Sequence, residues 1–382
     1  MSKVPDKLGL YIHIPFCKKK CNYCDFVSYQ EQDEKIEAYI NSLKKEIKII
    51  SEHFNSYSIS TIFFGGGTPS YLDENFISSI LEECNICFDL TNTEEISIET
   101  NPGTLNNSKL SRYKYFGINR LSIGLQACQN KLLKSIGRIH SFEEFLEGYN
   151  IARKSSFNNI NIDLIFGLPG QTLSDWRDTL NKVLSLKPEH LSCYSLKIEE
   201  HTLFHNMYLN KLIEFPTDEE EREMYHYTVS TLKFNGYIQY EISNFCLPGY
   251  QCKHNLIYWN CEQYIGIGAG AHSYFDNIRY SNHTSLDKYI LEINKGRLPQ
   301  QDFQTINKQE SMIEFIILGL RLIDGVDKNS FKQKFNNKID EMYSAQISKL
   351  LELGLIENEK HRLKLTSKGL DLANQVMIEF LN

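Results

Sequence analysis

The chain has 382 residues, enough for one large core and a smaller second domain but too many for a single ordinary core. Its composition, 41% hydrophobic and 23% charged, is typical of a globular protein, and the net charge of −7 excludes a broad basic field for nucleic acid or an anionic membrane. We therefore expect no nucleic-acid partner. The sequence shows no secretory signal and no apolar run of about 18 residues that would predict a transmembrane segment. These features favour a cytoplasmic location, where the ten cysteines are expected to be thiols or metal ligands rather than disulfides.

Strand-like and helix-like stretches alternate through the first 200 residues. Strands are predicted at 8–14, 59–64, 95–99, 119–124, 159–167 and 190–196. Helices are predicted over 33–54, where apolar residues recur every three or four positions, and over 74–87. Gaps of roughly 25 to 50 residues between strand starts leave room for a crossover helix each time, which favours parallel pairing. This order predicts an α/β fold, either a barrel or an open parallel sheet, and six units make an incomplete barrel with one side open or covered by other segments.

The remaining third of the chain changes character twice. The stretch from about 200 to 300 is irregular and rich in aromatic residues, whereas the last 80 residues predict helices near 308–323 and 339–353, a hairpin over 354–366 and a closing helix. Helix, helix, hairpin, helix is a winged-helix-like order, but 11 Lys and Arg against 12 Asp and Glu argue against DNA binding there. We expect a barrel core over 1–240, a covering segment over 241–300 and a C-terminal domain over 301–382.

Three cysteines follow the first predicted strand, at positions 17, 21 and 24. Closely spaced thiolates can hold an iron–sulfur cluster, and a [4Fe–4S] cluster with three cysteine ligands leaves one iron without a protein ligand. That iron can bind the amino and carboxylate groups of S-adenosylmethionine. The alternative is a zinc site completed by a distant Cys or His. The spacing alone leaves both readings open.

Polar residues and glycines follow successive strands, where the chemistry of an α/β barrel gathers. The second strand leads into GGGTPS at 65–70, whose glycines let the backbone approach a ligand closely. The third ends in Glu99, and the fourth leads to Gln126 and then Arg138, whose guanidinium suits a carboxylate. The fifth contains Asp163 inside an apolar run, where a carboxylate needs a partner. Together these positions predict a ligand-binding edge of the sheet.

The stretch YIHIPFCKKKCNYCDF, residues 11–26, resembles the radical S-adenosylmethionine superfamily, and within it the coproporphyrinogen III oxidase-like branch. The resemblance covers essentially the whole chain. It implies a partial (β/α)6 TIM-like radical SAM barrel with a small C-terminal winged-helix-like α+β domain. It also implies a [4Fe–4S] cluster on Cys17, Cys21 and Cys24. The S-adenosylmethionine residues that it implies are Tyr11, Gly66, Gly67, Thr68, Glu99, Gln126, Arg138 and Asp163. In the oxidase some of these belong to a second molecule of S-adenosylmethionine, and the resemblance leaves the number open.

Two features separate the branches of this family. True oxygen-independent coproporphyrinogen III oxidases carry one more cysteine two positions after the third, where this chain has Phe26, and an extension before the first strand, where only about ten residues precede Tyr11. Both features match the haem-chaperone branch. HNLIYW at 254–259 resembles the HNxxYW motif associated with haem in that branch, which makes His254 a candidate haem ligand. The alternative is that His254 only packs the cover of the barrel, and Cys252 and His272 are weaker candidates.

The resemblance implies a haem chaperone that binds haem, a [4Fe–4S] cluster and S-adenosylmethionine and delivers haem to an unidentified acceptor protein. An electron donor would reduce the cluster. The alternative is an oxygen-independent coproporphyrinogen III oxidase, so the sequence leaves open whether the chain is an enzyme, and it assigns no catalytic residue. A third interpretation is a zinc-bound structural module.

Overall fold

The computed structural model describes residues 6–381. Its strands are β1 (Asp6–Ile14), β2 (Tyr57–Gly66), β3 (Glu95–Thr100), β4 (Arg120–Gln126), β5 (Ile160–Phe166), β6 (His190–Ser195), β7 (Ile238–Gln239), β8 (Asn244–Cys246), β9 (Tyr264–Ile267), β10 (His272–Phe275), β11 (Ile278–Asn282), β12 (Gln300–Thr305), β13 (Val326–Asp327), β14 (Ile356–Asn358) and β15 (Arg362–Leu365). The six strands predicted in the first 200 residues are confirmed as β1 to β6.

The helices of the described residues fall between these strands. They are α1 (Ile36–Ser51), α2 (Glu74–Cys87), α3 (Asn107–Tyr115), α4 (Asn130–Ser135), α5 (Phe142–Lys154), α6 (Leu173–Ser185), α7 (Leu203–Leu209), α8 (Asp218–Phe234), α9 (Lys253–Trp259), α10 (Leu286–Asn294), α11 (Lys308–Gly319), α12 (Lys328–Phe335), α13 (Ile339–Met342), α14 (Ser344–Glu352), α15 (Ser367–Asp371) and α16 (Ala373–Ile378). Short 3-10 turns lie at Asp33–Lys35, Pro69–Tyr71 and Glu379–Leu381. No helix among the described residues is long and apolar enough to cross a membrane.

One twelve-stranded sheet carries the barrel, in the order β12-β11-β10-β9-β1-β2-β3-β4-β5-β6-β8-β7. Strands β1 to β6 pair in parallel in chain order, and the side chains of β4 are buried along its whole length. Strand β9 pairs in parallel with β1 and adds a seventh parallel strand, while β10 to β12 and β8 and β7 extend the two edges in antiparallel pairing. The end strands β12 and β7 are not paired with each other within residues 6–381, so the barrel is incomplete, as predicted.

The covering strands are joined to the barrel through a buried carboxylate. Glu46 of α1 accepts hydrogen bonds from the backbone N–H of Gly268 at 2.9 Å, the Asn282 side-chain amide at 2.6 Å and the Tyr289 hydroxyl at 2.5 Å. Burial raises the pKa of Glu46 to about 7 despite these donors. Because its three donors come from the segment after residue 260, Glu46 fixes that segment against the first helix of the barrel.

The last part of the chain has its own apolar core, formed by residues between Met312 and Phe380. Helices α11, α12 and α14 pack with a three-stranded sheet in the order β13-β15-β14. The sequence predicted the hairpin and the flanking helices but not α12. That helix is mostly polar, and only Phe331 and Phe335 of it are buried in the core. This domain meets the barrel where the Arg321 guanidinium lies over the Trp259 ring at 4.7 Å and the Ile242 N–H donates to the Arg321 carbonyl at 3.2 Å.

Candidate functional site

The cysteine loop follows β1 and is tied to the glycine loop that follows β2. The backbone N–H of Gly67 donates to the Ile14 carbonyl at 2.9 Å, and that of Thr68 donates to the Phe16 carbonyl at 2.9 Å. Cys17 is buried, whereas Cys21 and Cys24 are partly exposed toward the cavity they line. Burial raises the pKa of the Cys17 and Cys24 thiols, so both side chains favour the protonated form unless a metal centre binds them.

A chain of polar contacts connects two of these cysteines through residues from three other loops. The Thr68 hydroxyl lies 3.5 Å from the Cys17 sulfur, and the Arg138 Nη1 donates to the Cys21 sulfur at 3.6 Å. Asn101 connects Thr68 with Arg138, because its side-chain N–H donates to Thr68 Oγ1 at 2.9 Å and its oxygen accepts from Arg138 Nη2 at 2.7 Å. Asn101 is not among the residues that the sequence pattern predicts, although it directly follows the end of β3, where polar residues are expected.

The other polar candidates lie on the neighbouring strands. Glu99 accepts from the Gly66 N–H at 3.0 Å, and its pKa is raised to about 7 by burial and by the nearby Asp163 carboxylate. Asp163 accepts from Ser122 at 2.9 Å and Asn161 at 2.8 Å, which are the partners that its place in an apolar run requires.

One cavity of about 360 Å³ brings most of the candidates together. Its lining includes Cys17, Cys21, Cys24, Gly66, Gly67, Thr68, Glu99, Gln126, Arg138 and Asp163. Tyr11 lines an adjoining cavity of about 160 Å³, which Glu99 and Asp163 also line. Phe26 also lines the larger cavity and is 64% exposed.

The residues around the cysteines fit an anionic cluster with a small ligand beside it. A Cβ added at Gly67 would lie 3.0 Å from the Cys17 sulfur and 2.8 Å from the Phe16 carbonyl oxygen, so only glycine leaves room there. Burial disfavours a charged Arg138, but Tyr23 and Cys21 more than offset it and raise the pKa of its guanidinium. That guanidinium supplies a fixed positive charge beside the cysteine sulfurs, which favours an anionic cluster there. Within residues 6–381 no three histidine, cysteine or carboxylate side chains are placed to hold a single metal ion.

His254 lies on α9, inside the barrel beside the middle of β2 and the start of β3. Its ring nitrogens contact the Thr61 hydroxyl at 2.7 Å and the Tyr258 hydroxyl at 2.8 Å, and the ring stacks on Phe63. The side chain is 1% exposed, and its backbone N–H donates to Glu95 at 3.2 Å. In this arrangement neither ring nitrogen is free for iron. Of the weaker candidates, Cys252 donates to Glu95 and His272 lies exposed at the start of β10.

The enclosure of His254 predicts a pH-dependent stability. Burial and the nearby Arg120 lower the pKa of His254 from 6.5 to about 3. Between these two pH values the unfolded chain binds a proton at His254 that the folded chain does not. The contribution of neutral His254 to the free energy of unfolding is therefore full above pH 6.5 and is lost as the pH falls. We expect His254→Gln to reduce the loss of unfolding free energy between pH 6.5 and 5 by about 2 kcal/mol, measured by urea unfolding. The exposed His361→Gln serves as the control, and an equal pH dependence of all three proteins would contradict the prediction.

Known proteins resemble this chain at two levels, first in single domains and overall fold and then over the full length of the sequence. Residues 11–183 match the radical SAM superfamily and residues 306–372 match the HemN C-terminal domain, so the fold and the cysteine loop are those of a radical SAM protein. The solved structure of coproporphyrinogen III oxidase (HemN) from Escherichia coli superposes with a TM-score of 0.86 over 99% of this chain and 91% of that one, at 24% identity. That likeness shows the fold.

Full-length relatives define the family more closely. The heme chaperone HemW of Bacillus subtilis (strain 168) is 39% identical over 372 residues, which cover 97% of this chain and 98% of the relative. The heme chaperone HemW of Escherichia coli (strain K12) is 32% identical over 100% of both chains. The chain therefore belongs to the HemW family of heme chaperones.

Proposed function

We propose that this protein is a cytoplasmic haem chaperone that binds a [4Fe–4S] cluster through Cys17, Cys21 and Cys24, S-adenosylmethionine in the adjoining cavity, and haem, which it delivers to an acceptor protein. The observation that carries the proposal is Phe26, an exposed aromatic residue at the cavity mouth where the resemblance places a further cysteine in the oxidase. The names of the full-length relatives support the same interpretation.

The chain's own residues would position the cofactors as follows. A [4Fe–4S] cluster held by Cys17, Cys21 and Cys24 would, when reduced, supply an electron to S-adenosylmethionine bound in the cavity. Thr68 contacts the Cys17 sulfur and Arg138 contacts the Cys21 sulfur, and Asn101 bonds to both, so the three residues together fix the loop that carries the cysteines. Glu99, with its pKa near 7, can accept hydrogen bonds when ionised and donate one when protonated. It therefore suits an ammonium or hydroxyl group in the cavity.

Haem binding by His254 requires a change in α9. The contacts of its ring with Thr61 and Tyr258 must break, because they occupy both nitrogens. The cavity beside the ring, about 160 Å³, is smaller than the roughly 300–1,000 Å³ of pockets that hold drug-sized ligands. We propose that α9 leaves the barrel interior when haem binds, which would expose His254 together with its aromatic neighbours.

An anaerobic haem titration tests the chaperone proposal. We expect the reconstituted protein to shift the Soret band of haem, and His254→Ala to weaken that binding at least tenfold, about 1.4 kcal/mol, because an axial ligand is lost. His361→Ala, at an exposed site, should bind as the unaltered protein does. A shift that persists in His254→Ala would remove His254 as the ligand, and the absence of any shift would remove haem binding itself.

The second candidate function is the oxidase. It is favoured by the complete set of cavity residues, since Glu99, Arg138 and Asp163 all line the space beside the cysteines. An anaerobic assay with coproporphyrinogen III, a reductant and S-adenosylmethionine discriminates the two functions. We expect no turnover, and steady formation of protoporphyrinogen would replace the chaperone proposal by an enzyme.

A further inference from the structure

The cysteine loop carries an unpaired cluster of positive charge. Lys18, Lys19 and Lys20 fill the whole interval between Cys17 and Cys21. Lys18 and Lys19 are exposed, and Lys19 and Lys20 line the mouth of the large cavity. In the described part of the chain no carboxylate pairs with any of the three, and the Lys20 ammonium donates instead to the Phe26 carbonyl at 2.9 Å. On a protein of net charge −7, three adjacent unpaired lysines form a local field of opposite sign.

The surroundings of the lysines add an apolar centre and two acidic residues, Asp25 in the loop and the exposed Glu31, which follows Gln30, whose side chain accepts from the Lys20 backbone N–H at 3.1 Å. Phe26, held beside Lys20, is 64% exposed. Asp25 is the one acidic residue within the loop from Cys17 to Phe26, so the loop carries three positive side chains and one negative. Across the cavity mouth, Lys197 is paired with Glu199 at 2.6 Å and adds no net charge. Aromatic residues are enriched at the centre of protein interfaces, charged residues are depleted there, the rim is polar, and weak redox complexes bury only small areas.

We propose that Lys18, Lys19 and Lys20 with Phe26 form the docking surface for a small acidic electron-carrier protein. The proposal rests on the proposed function, since it requires a cluster on the three cysteines. One electron passes from the reduced carrier, which is thereby oxidised, to the cluster, which is reduced by the same electron. No proton or bond is transferred. The lysines lie between two of the proposed cluster ligands in sequence, and Lys19 and Lys20 line the same cavity as those cysteines, so a carrier docked on them lies beside the cluster.

Charge complementarity decides the kind of partner. An acidic carrier is repelled by the rest of this acidic protein and attracted by the lysines, so the loop both accelerates and orients the encounter. Steering of this kind weakens as the Debye length falls from about 30 Å at 0.01 M salt to about 3 Å at 1 M. Haem also carries negative charge, on its propionates, so the variants compared below are also titrated with haem.

The experiment compares two variants of equal charge by stopped-flow mixing. Lys18→Glu/Lys19→Glu changes the docking surface, and Lys233→Glu/Lys360→Glu changes two exposed lysines elsewhere by the same total charge. Each protein, loaded with cluster, is mixed anaerobically with reduced flavodoxin as the acidic carrier. The fading of the cluster's visible absorbance reports its reduction. Reduced methyl viologen, a small cation, serves as the second reductant.

We expect the loop variant to be reduced by flavodoxin at least tenfold more slowly than the control variant at low salt, with the difference shrinking toward 1 M salt. With methyl viologen the loop variant should react no more slowly than the control, since the added negative charges attract a cation. Equal rates with flavodoxin would overturn the proposal, as would equal slowing with both reductants, which indicates a distorted loop. Weakened haem binding with unchanged reduction would also overturn it.

Two further measurements keep the outcome clear. If the loop variant loads less cluster than the control, Lys18→Gln/Lys19→Gln replaces it, and a smaller slowing of the same sign is expected. If the unaltered protein binds no iron, the proposed function fails and not the docking surface alone. Iron and sulfide content, determined before mixing, separates these two failures.

Discussion

Replacing any one of Cys17, Cys21 and Cys24 by serine is expected to abolish the iron–sulfur cluster. The unaltered protein, reconstituted without oxygen, should bind about four irons and be brown, whereas each variant should bind essentially none. The physical reason is that three thiolates supply all the protein ligands, and a serine hydroxyl is a much poorer ligand for cluster iron than a thiolate. Iron and sulfide analysis with electron paramagnetic resonance of the reduced protein measures the effect.

The chain offers a matched control for this prediction. Cys84 and Cys87 have the same spacing as Cys21 and Cys24, but they lie on α2, where Cys84 is buried in the core and Cys87 donates to Glu83 at 3.5 Å. We expect Cys87→Ser to keep its iron. If the unaltered protein instead binds one zinc ion that any of the three cysteine variants loses, the zinc interpretation replaces the cluster.

The sequence predicts the barrel well because the pattern of each strand is local. An unbroken apolar run such as that ending β2 reports burial on both faces, and the apolar stripe of α1 reports the face that packs on the sheet. Strand β9 has only four residues and no such pattern, and its pairing with β1 is decided by contacts more than 250 positions away. Short elements placed by tertiary contacts are therefore the ones missed.

The candidate site divides in the same way. The cysteine spacing and the glycine loop are local signals, and the structure places them side by side. Asn101 has no local signal, since its importance arises only where the loop after β3 meets Thr68 and Arg138. His254 shows the reverse case. The motif around it is easily recognised in the sequence. A histidine beside aromatic residues, however, can be either a haem ligand or a buried, hydrogen-bonded residue of the barrel interior, and the sequence alone does not distinguish the two.

The second large effect is expected from Gly66→Ala, because Gly66 lies where the glycine loop presses against β1. Its φ of +114° is one that residues with a side chain rarely adopt, and an added Cβ would lie 2.4 Å from the His13 ring. That ring cannot move freely. Its Nε2 donates to the Val27 carbonyl at 2.8 Å, so the other nitrogen accepts from the Tyr11 hydroxyl at 3.0 Å. We expect Gly66→Ala to lower the free energy of unfolding by about 3 kcal/mol. This value combines the strain of a positive φ in alanine with the steric overlap between its Cβ and the His13 ring.

Gly103→Ala separates the two contributions, because Gly103 also has a positive φ, +80°, but an added Cβ there meets nothing within 4 Å. This variant should lose only about 1 kcal/mol. Urea unfolding of both proteins measures the difference, and calorimetric titration of the cluster-loaded proteins measures S-adenosylmethionine affinity. We expect that affinity to fall more than tenfold in Gly66→Ala alone, since displacing His13 releases both Tyr11 and the cysteine loop at Val27. Equal losses of stability in the two variants would show that His13 yields to the new methyl group and does not fix the loops in place.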